Sequence, residues 1–238
     1  MKVSVILPTF NEGGNIVALV NDIRRHLADH GEYEIIAVDD NSPDETYELV
    51  KTTFAGDPAV VPILRTFDRG LAKSIRAGVE QARGEKIVIM DTDFTHDPAE
   101  IPKLLHVGEI YDIVSGSRFC AGGRMQDARH YLASLLYNWY LRLLLRTQVQ
   151  DNLGGFFTIG RRELMQLPLD LIFFGYGDYF FRLLYYAEAN GLSIVELPAI
   201  YRVRTAGKSK SNFLMMLFTY TRAVVKLRLS APRYRKKG

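Results

Sequence analysis

Short apolar runs rich in β-branched residues alternate with amphipathic stretches along the first half of the chain. Five of these runs are typical of strands, at residues 3–7, 34–38, 60–64, 86–90 and 112–114. Because nearly continuous apolar strands separated by helical segments favour a parallel sheet covered on both faces, we predict an α/β fold with a mostly parallel central sheet.

The second half of the chain has a less regular pattern. It predicts helices over residues 128–146, 178–190 and 212–229, strands over 156–159 and 193–197, and a turn at Gly154 and Gly155. We find no internal repeat and no linker in the sequence. The expected organisation is one α/β domain over residues 1–210, followed by an amphipathic helix and basic tail over 211–238 that is not a separate domain.

Polar residues follow four of the predicted strands. The runs are PTFNE at residues 8–12, DDNSP at 39–43, DTD at 91–93 and SGSR at 115–118. In a parallel sheet the carboxyl ends of the strands meet at one edge, where ligands bind. Any one run is also a good helix cap. Four runs at the same edge favour a binding site.

Asp91 and Asp93 stand two residues apart directly after a predicted strand. Their carboxylates flank one turn and can direct oxygens toward a shared point. Such oxygens favour Mg²⁺ or Mn²⁺, and Mg²⁺ is usually held by one or two carboxylates plus substrate phosphates. The alternative is a solvated turn with a capping aspartate.

Several common site motifs are missing from the sequence. It contains neither GxGxxG nor GxxxxGK[ST], which argues against a dinucleotide-dependent dehydrogenase and a P-loop kinase. It also lacks HExxH and paired CxxC motifs, so a zinc hydrolase has no support.

The charge is unevenly distributed. The net charge is +3, but eleven of the 30 Lys and Arg residues lie in residues 202–238, which hold no Asp or Glu. Residues 1–201 therefore carry 19 basic and 27 acidic side chains, a net charge of −8. A basic segment of this kind binds phosphate groups of nucleic acid, lipid or nucleotide. Because no nucleic-acid motif accompanies it, we expect no nucleic-acid partner.

The chain has one cysteine, Cys120, and its start, MKVSVILPTF, lacks the features of a signal peptide, so we expect a cytoplasmic protein. No apolar run approaches the about 20 residues that span a bilayer. The amphipathic stretches 128–146 and 212–229, the latter followed by a polybasic end, predict peripheral binding to the cytoplasmic face of a membrane. The alternative for the first stretch is a helix that packs in the core.

Six ordered motifs together resemble the family 2 glycosyltransferases, and among them the dolichol-phosphate mannose synthases and related polyprenyl-phosphate sugar transferases. They are LPTFNE (7–12), VDDNSPD (38–44), GLAKSIRAG (70–78), MDTDFTHDP (90–98), IVSGSRF (113–119) and RTAGKSK (204–210), and the resemblance covers most of the chain. It implies a GT-A type nucleotide-sugar-binding domain. The implied reaction is the inverting transfer of a mannose or glucose type sugar from a nucleotide-diphosphate sugar, such as GDP-mannose, to a dolichyl-type polyprenyl phosphate, with Mg²⁺ or Mn²⁺.

The resemblance also implies roles for individual residues. The donor nucleotide would be bound by Pro8, Phe10, Glu12, Asp39, Asp40, Asp91, Arg204 and Lys210. The metal would be held by Asp91, Asp93 and Thr95, and the acceptor phosphate by Arg118, Arg129 and Ser134. Asp93, Arg118 and Asp178 would be catalytic.

Two positions depart from the family pattern. Thr95 stands where relatives often carry Gln or Ser, and its hydroxyl is a poorer metal ligand. Arg182 aligns with a position at which relatives carry Glu, and Asp178, one turn earlier, could substitute for that carboxylate.

The nature of the acceptor decides whether a catalytic base is needed. A phosphate monoester, with a second pKa near about 6, is largely ionised at neutral pH and can attack without a general base. A saccharide hydroxyl, the acceptor in polysaccharide or glycolipid assembly, would require a carboxylate such as Asp178. A third hypothesis is a nucleotide-sugar binding protein without catalysis.

Overall fold

The computed structural model describes residues 3–126, 128–202 and 213–230. In these ranges the strands are β1 (Val3–Thr9), β2 (Tyr33–Asp39), β3 (Val60–Leu64), β4 (Lys86–Ile89), β5 (Ile113–Ser117), β6 (Arg124–Met125), β7 (Phe157–Gly160), β8 (Ile194–Pro198) and β9 (Ile200–Tyr201). The helices are α1 (Ile16–Leu27), α2 (Thr46–Thr53), α3 (Leu71–Gln81), α4 (Ile101–Val107), α5 (Ala128–Leu145), α6 (Arg161–Met165), α7 (Leu169–Ile172), α8 (Tyr179–Ala189) and α9 (Phe213–Ser230). A short 3-10 helix, Pro98–Glu100, precedes α4.

Seven strands form one sheet in the order β3-β2-β1-β4-β7-β5-β8. Neighbouring strands are parallel, except that β7 runs antiparallel between β4 and β5. Strands β6 and β9 form a separate parallel pair. The predicted α/β class with a mostly parallel central sheet is confirmed.

The alternation of side chains along each strand produces two apolar layers, one on each face of the sheet. In β1, Val5 and Leu7 face the layer that contains α1, α2 and α4. Ile6, between them, faces the layer that contains α3, α5, α8 and α9. All three side chains are fully buried, which stabilises the fold by about 1.5–3 kcal/mol each. Helices therefore cover both faces, as predicted.

The two long helices of the second half pack against each other. The hydroxyl of Tyr137 in α5 donates a hydrogen bond to the carbonyl of Leu217 in α9, at 3.3 Å. Tyr220, Val224 and Leu227 of α9 belong to the same buried layer as α5 and α8. Among the described helices, none combines the length and the apolar character that crossing a membrane requires. The predicted domain boundary at residue 210 lies outside the described residues.

Candidate functional site

A cleft of about 570 Å³ opens at the carboxyl ends of β1 and β4. Because β7 is antiparallel, the segment that leads into it, including Gly154 and Gly155, arrives at this same edge. Gly155 has a φ of 75°, in the left-handed region that glycine adopts at little cost. The start of α8 and one residue of α9 complete the lining. The lining residues are Pro8, Thr9, Phe10, Glu12, Asp40, Arg69, Gly70, Leu71, Ser74, Asp91, Thr92, Asp93, Leu153, Gly154, Gly155, Tyr176, Gly177, Tyr179, Phe180 and Tyr220.

Four loops at this edge turn through left-handed backbone conformations at residues other than glycine. In the loop after β3 this residue is Asp68, with a φ of 52°. Asn11 follows β1 with a φ of 58°, Asn41 follows β2 with a φ of 57°, and Phe94 follows β4 with a φ of 60°. Asparagine tolerates this conformation, but a bulky residue such as phenylalanine adopts it at a cost. Such strain is concentrated at functional sites, where the surrounding structure maintains it.

Asp91 and Asp93, the predicted metal ligands, both line the cleft. The side chain of Asp91 is 45% exposed, whereas Asp93 is buried. No three His, Cys, Asp or Glu side chains gather as a metal-binding group anywhere in the described part of the chain. Two carboxylates fit a hard divalent cation that takes its other ligands from substrate phosphates and water.

Thr95, the third predicted metal ligand, is not among the residues that line the cleft. Its backbone N–H and its hydroxyl both donate to Oδ1 of Asp93, at 3.1 and 2.6 Å. These two bonds hold the Asp93 carboxylate in place.

His96, in the same loop, was not assigned a role from the sequence. Its side chain is fully buried, stacked on the ring of Phe156 and in edge contact with Tyr201. Its Nδ1 accepts the backbone N–H of Asp91 at 3.0 Å. Burial lowers the pKa of His96 to about 4, even though the negative charge of Asp93 opposes this shift. His96 belongs to the MDTDFTHDP motif, five residues after Asp91, and this position could have indicated it from the sequence.

Four of the residues that the sequence assigned to the donor nucleotide line the cleft: Pro8, Phe10, Glu12 and Asp40. Oε2 of Glu12 accepts a hydrogen bond from Asn15 at 2.9 Å, and Asn15 begins the turn into α1. Strands β1 and β2 are neighbours in the sheet. Their ends therefore place the carboxylates of Glu12 and Asp40 at the same cleft.

Asp39 and Asp40 are adjacent in sequence but point to different surroundings. Asp40 accepts the backbone N–H of Gly70 at 2.6 Å, contacts the guanidinium of Arg65 and lines the cleft. Asp39, the last residue of β2, accepts the backbone N–H of Ser42 at 2.8 Å and the hydroxyl of Thr9 at 3.3 Å. Asp39 does not line the cleft.

Arg69 lines the cleft, although the sequence reasoning did not include it. Its guanidinium lies 4.5 Å from the ring centre of Phe10, and its Nε donates to the backbone carbonyl of Asp40 at 2.7 Å. Arg65 and Arg69 both follow β3. Because ligands bind beyond the carboxyl ends of parallel strands, both residues could have been identified from the sequence.

The predicted acceptor ligands lie elsewhere or outside the described residues. Arg118 is buried and does not line the cleft. Ser134 of α5 is half-buried, and its backbone carbonyl accepts a hydrogen bond from the side chain of Asn138 at 2.9 Å. The side chain of Arg129 and the predicted donor ligands Arg204 and Lys210 fall outside the described residues.

Arg118 is held by Asp151, a residue that no sequence motif indicated. Nε and Nη2 of Arg118 donate to the two carboxylate oxygens of Asp151 at 2.7 and 2.6 Å. Burial alone would lower the pKa of Arg118, but the charge of Asp151 outweighs it and raises that pKa. Arg118 therefore stays charged.

Asp178 is buried just before α8 and does not line the cleft. Its carboxylate forms an ion pair with Arg182 and accepts the backbone N–H of Tyr176 at 2.8 Å. Because its carboxylate is engaged by Arg182 and Tyr176 and does not reach the cleft, this arrangement gives no support to Asp178 as a proton acceptor.

Three tyrosines complete the cleft, and no sequence motif indicated them. Tyr176 lies in the segment before α8, Tyr179 is the first residue of α8, and Tyr220 belongs to α9. Tyr220 is buried, with its ring in edge contact with Phe181 at 6.0 Å. These segments are far apart along the chain and meet only in the folded protein.

The fold is an α/β sheet with a cleft at the carboxyl ends of its parallel strands. Comparison with known proteins identifies the family. The family model described as glycosyl transferase family 2 matches residues 4–167. The chain belongs to this family.

Two relatives of known name are each 32% identical to the chain. One is a dolichol-phosphate mannosyltransferase of Pyrococcus furiosus, matched over 95% of this chain and 64% of the relative. The chain thus spans somewhat less than two thirds of that protein. The other is an undecaprenyl-phosphate mannosyltransferase of Micrococcus luteus, matched over 89% of this chain and 88% of the relative.

The fold is also similar to a solved structure. Glucosyl-3-phosphoglycerate synthase from Mycobacterium tuberculosis, crystallised with Mn²⁺, UDP and glucosyl-3-phosphoglycerate, superposes with a TM-score of 0.70. The match covers 100% of this chain and 82% of that one, at 22% identity. At 22% identity this similarity shows the fold, and it does not identify the substrate or the metal of this protein.

Proposed function

We propose that this protein transfers a mannose or glucose type sugar, with inversion, from a nucleotide-diphosphate sugar to a polyprenyl phosphate, and that it requires Mg²⁺ or Mn²⁺. The observation that carries the proposal is the pair Asp91 and Asp93 at the edge of the cleft, together with Glu12 and Asp40 from the neighbouring strand ends. Two relatives named as mannosyltransferases to dolichol phosphate and undecaprenyl phosphate support the acceptor class.

Asp91 and Asp93 are the residues that would hold the cation. A bound divalent cation would neutralise charge on the leaving nucleoside diphosphate. The cavity beside them is lined by Pro8, Phe10 and Asp40, where we place the nucleoside. Phe10 presents an aromatic ring that is already held by the guanidinium of Arg69.

A lipid phosphate acceptor is consistent with the position of Asp178, whose carboxylate is paired with Arg182 and does not line the cleft. The phosphate oxygen is ionised at neutral pH, so the site must bind two anions close together rather than remove a proton. Arg118, Arg129 and Ser134 remain the proposed acceptor ligands. A saccharide hydroxyl would need a base, and the ion pair between Asp178 and Arg182 disfavours that alternative.

Two exposed apolar stripes support peripheral membrane binding. On α5 the stripe consists of Leu132, Leu136, Trp139 and Leu143, each more than half exposed and spaced to lie on one helix face. On α9, Phe218, Val225 and Leu229 are also exposed. Because α5 and α9 pack together, we propose that both helices lie on the cytoplasmic face of a membrane, with the basic C-terminal segment attracted to anionic lipid.

Transfer of radiolabel tests the proposal directly. The protein is incubated with Mn²⁺, vesicles that contain a polyprenyl phosphate, and labelled GDP-mannose, GDP-glucose or UDP-glucose in turn. We expect one donor to label the lipid fraction in a product that mild acid cleaves. Vesicles that contain the polyprenyl alcohol without phosphate are the matched control, and they should remain unlabelled.

Two results would count against the proposal. Labelling of the alcohol or of a saccharide, but not of the lipid phosphate, would favour a hydroxyl acceptor. Donor binding without transfer to any acceptor would favour a nucleotide-sugar binding protein.

A further inference from the structure

His96 is a buried polar side chain that the proposed reaction does not yet use. It lies five residues after Asp91, and its ring is packed between Phe156, at 5.0 Å between ring centres, and Tyr201, at 4.7 Å. An apolar side chain could fill this space without a desolvation penalty. Burial of the polar imidazole ring costs free energy, which hydrogen bonds must offset.

The hydrogen bond at Nδ1 fixes the state of the ring. Nδ1 accepts the backbone N–H of Asp91 at 3.0 Å, so it carries no proton, and the uncharged ring carries its proton on Nε2. His96 therefore holds the backbone of Asp91 at the point where β4 ends and the metal-binding turn begins.

The second nitrogen also faces Asp91. Nε2 lies 3.9 Å from Oδ2 of the Asp91 carboxylate. The carbonyl of Gly154 also lies near the ring and accepts the hydroxyl of Tyr201 at 3.0 Å. No hydrogen-bond partner of Nε2 is found in the described part of the protein, although this nitrogen is buried. A small rotation of the Asp91 side chain, which is partly exposed, would bring its carboxylate within reach of this donor.

We propose that His96 is a positioning residue that holds Asp91 in the orientation that a divalent cation requires. The backbone of Asp91 is anchored on Nδ1, and one carboxylate oxygen is within a small movement of Nε2, which leaves the other oxygen for the cation. Carboxylates that bind metals are commonly oriented by such hydrogen bonds, and loss of the partner weakens metal binding. This inference rests on the metal site of the proposed function, but not on the identity of the sugar or the acceptor.

The experiment compares Mn²⁺ binding by three variants with the wild type. His96→Phe keeps a ring between Phe156 and Tyr201 but removes both nitrogens. His96→Asn replaces Nδ1 by an amide oxygen that can still accept the N–H of Asp91. His106→Phe, at an exposed position in α4, is the matched control.

Mn²⁺ binding is measured by electron paramagnetic resonance in the presence of GDP or UDP, and thermal unfolding is measured without metal. We expect His96→Phe to weaken Mn²⁺ binding by about 10- to 100-fold. His96→Asn should recover part of the loss, and His106→Phe should bind as the wild type does. In the transfer assay, His96→Phe should raise the KM for Mn²⁺ more than it lowers kcat.

A second measurement on the wild type keeps the inference testable if His96→Phe does not fold. Among the five histidines of the chain, the ¹⁵N signals of His96 are identified by their loss in His96→Asn. Addition of Mg²⁺ with GDP or UDP should shift the His96 Nε2 signal.

Unchanged Mn²⁺ binding in a folded His96→Phe variant, or an Nε2 signal that does not respond to Mg²⁺, would overturn the role of His96 alone. If the wild type itself binds no Mn²⁺, both this inference and the metal requirement of the proposed function are wrong.

Discussion

The guanidinium of Arg118 and the carboxylate of Asp151 form a two-point hydrogen-bonded ion pair inside the protein, 33 residues apart in sequence. The side chain of Asp151 is fully buried and that of Arg118 is 9% exposed. Asp151 also accepts the backbone N–H of Arg118 at 3.1 Å. The pair therefore fixes the loop after β5, from which the sequence predicts contacts to the acceptor.

Asp151→Asn should destabilise the protein strongly, because it leaves the charge of Arg118 buried without its partner. We expect the free energy of unfolding to fall by about 3–5 kcal/mol, as measured by urea denaturation. Asp170→Asn is the control, since Asp170 pairs with Arg76 at the surface and should contribute less than about 1 kcal/mol. An equal loss of unfolding free energy in both variants would show that the buried pair stabilises the protein no more than the surface pair does.

Asp93→Ala should abolish sugar transfer and the metal-dependent binding of nucleoside diphosphate together, because the cation and the diphosphate share ligands. Calorimetric titration with GDP and UDP, with and without Mn²⁺, measures the binding. Asp29→Ala, at an exposed position after α1, should change neither property. Full activity in Asp93→Ala would mean that the metal site is placed wrongly.

Asp178→Asn separates the two acceptor chemistries. We expect it to lower the free energy of unfolding by about 3 kcal/mol, because it removes the partner of the buried Arg182, while turnover per folded molecule stays within about tenfold of the wild type. Transfer to polyprenyl phosphate is measured below the unfolding temperature. A loss of turnover of about 1000-fold with donor binding intact would instead indicate that Asp178 acts as a base.

Glu34 should make the stability depend on pH. Burial alone would raise the pKa of this carboxyl, but hydrogen bonds from Ser4 and Arg83 outweigh it and lower the pKa below its ordinary value of 4.5. A carboxyl with a lowered pKa in the folded state stabilises the protein above its unfolded pKa, and this stabilisation is lost as the pH falls through the folded pKa.

Glu34→Gln should therefore cost about 2 kcal/mol of unfolding free energy at about pH 7, and progressively less below about pH 4. Urea denaturation of both proteins over this range measures the difference. Glu48→Gln, at a largely exposed helix position, should show no comparable change. If the loss of unfolding free energy in Glu34→Gln were the same at all pH values, the lowered pKa of Glu34 would not contribute to stability.

Trp139 is the single tryptophan of the chain and lies exposed on α5. If α5 enters the membrane interface, its fluorescence should shift to shorter wavelength with anionic vesicles, and the shift should diminish as salt weakens the attraction of the basic segment. Leu136→Ser should weaken vesicle binding by about tenfold, whereas Ile110→Ser, exposed on another surface, should not. No vesicle binding at low salt would end the interfacial hypothesis.

The local pattern of the sequence was sufficient for the seven strands of the central sheet and for much of the cleft. Apolar runs predicted the strands because burial on both faces of a parallel sheet requires them, and the polar residues that follow β1, β2 and β4 indicated the correct edge. Pro8, Glu12, Asp91 and Asp93 lie in the cleft for this reason.

The tertiary structure decided what local pattern cannot specify. It inserted β7 in the antiparallel direction, turned Asp39 inward while Asp40 faces the cleft, and joined Arg118 to Asp151 and Asp178 to Arg182. It also brought Tyr220 of α9 to the cleft. The physical reason is that periodicity along the chain reports only whether a position is buried, whereas the partner of a buried charge depends on which distant segments pack together.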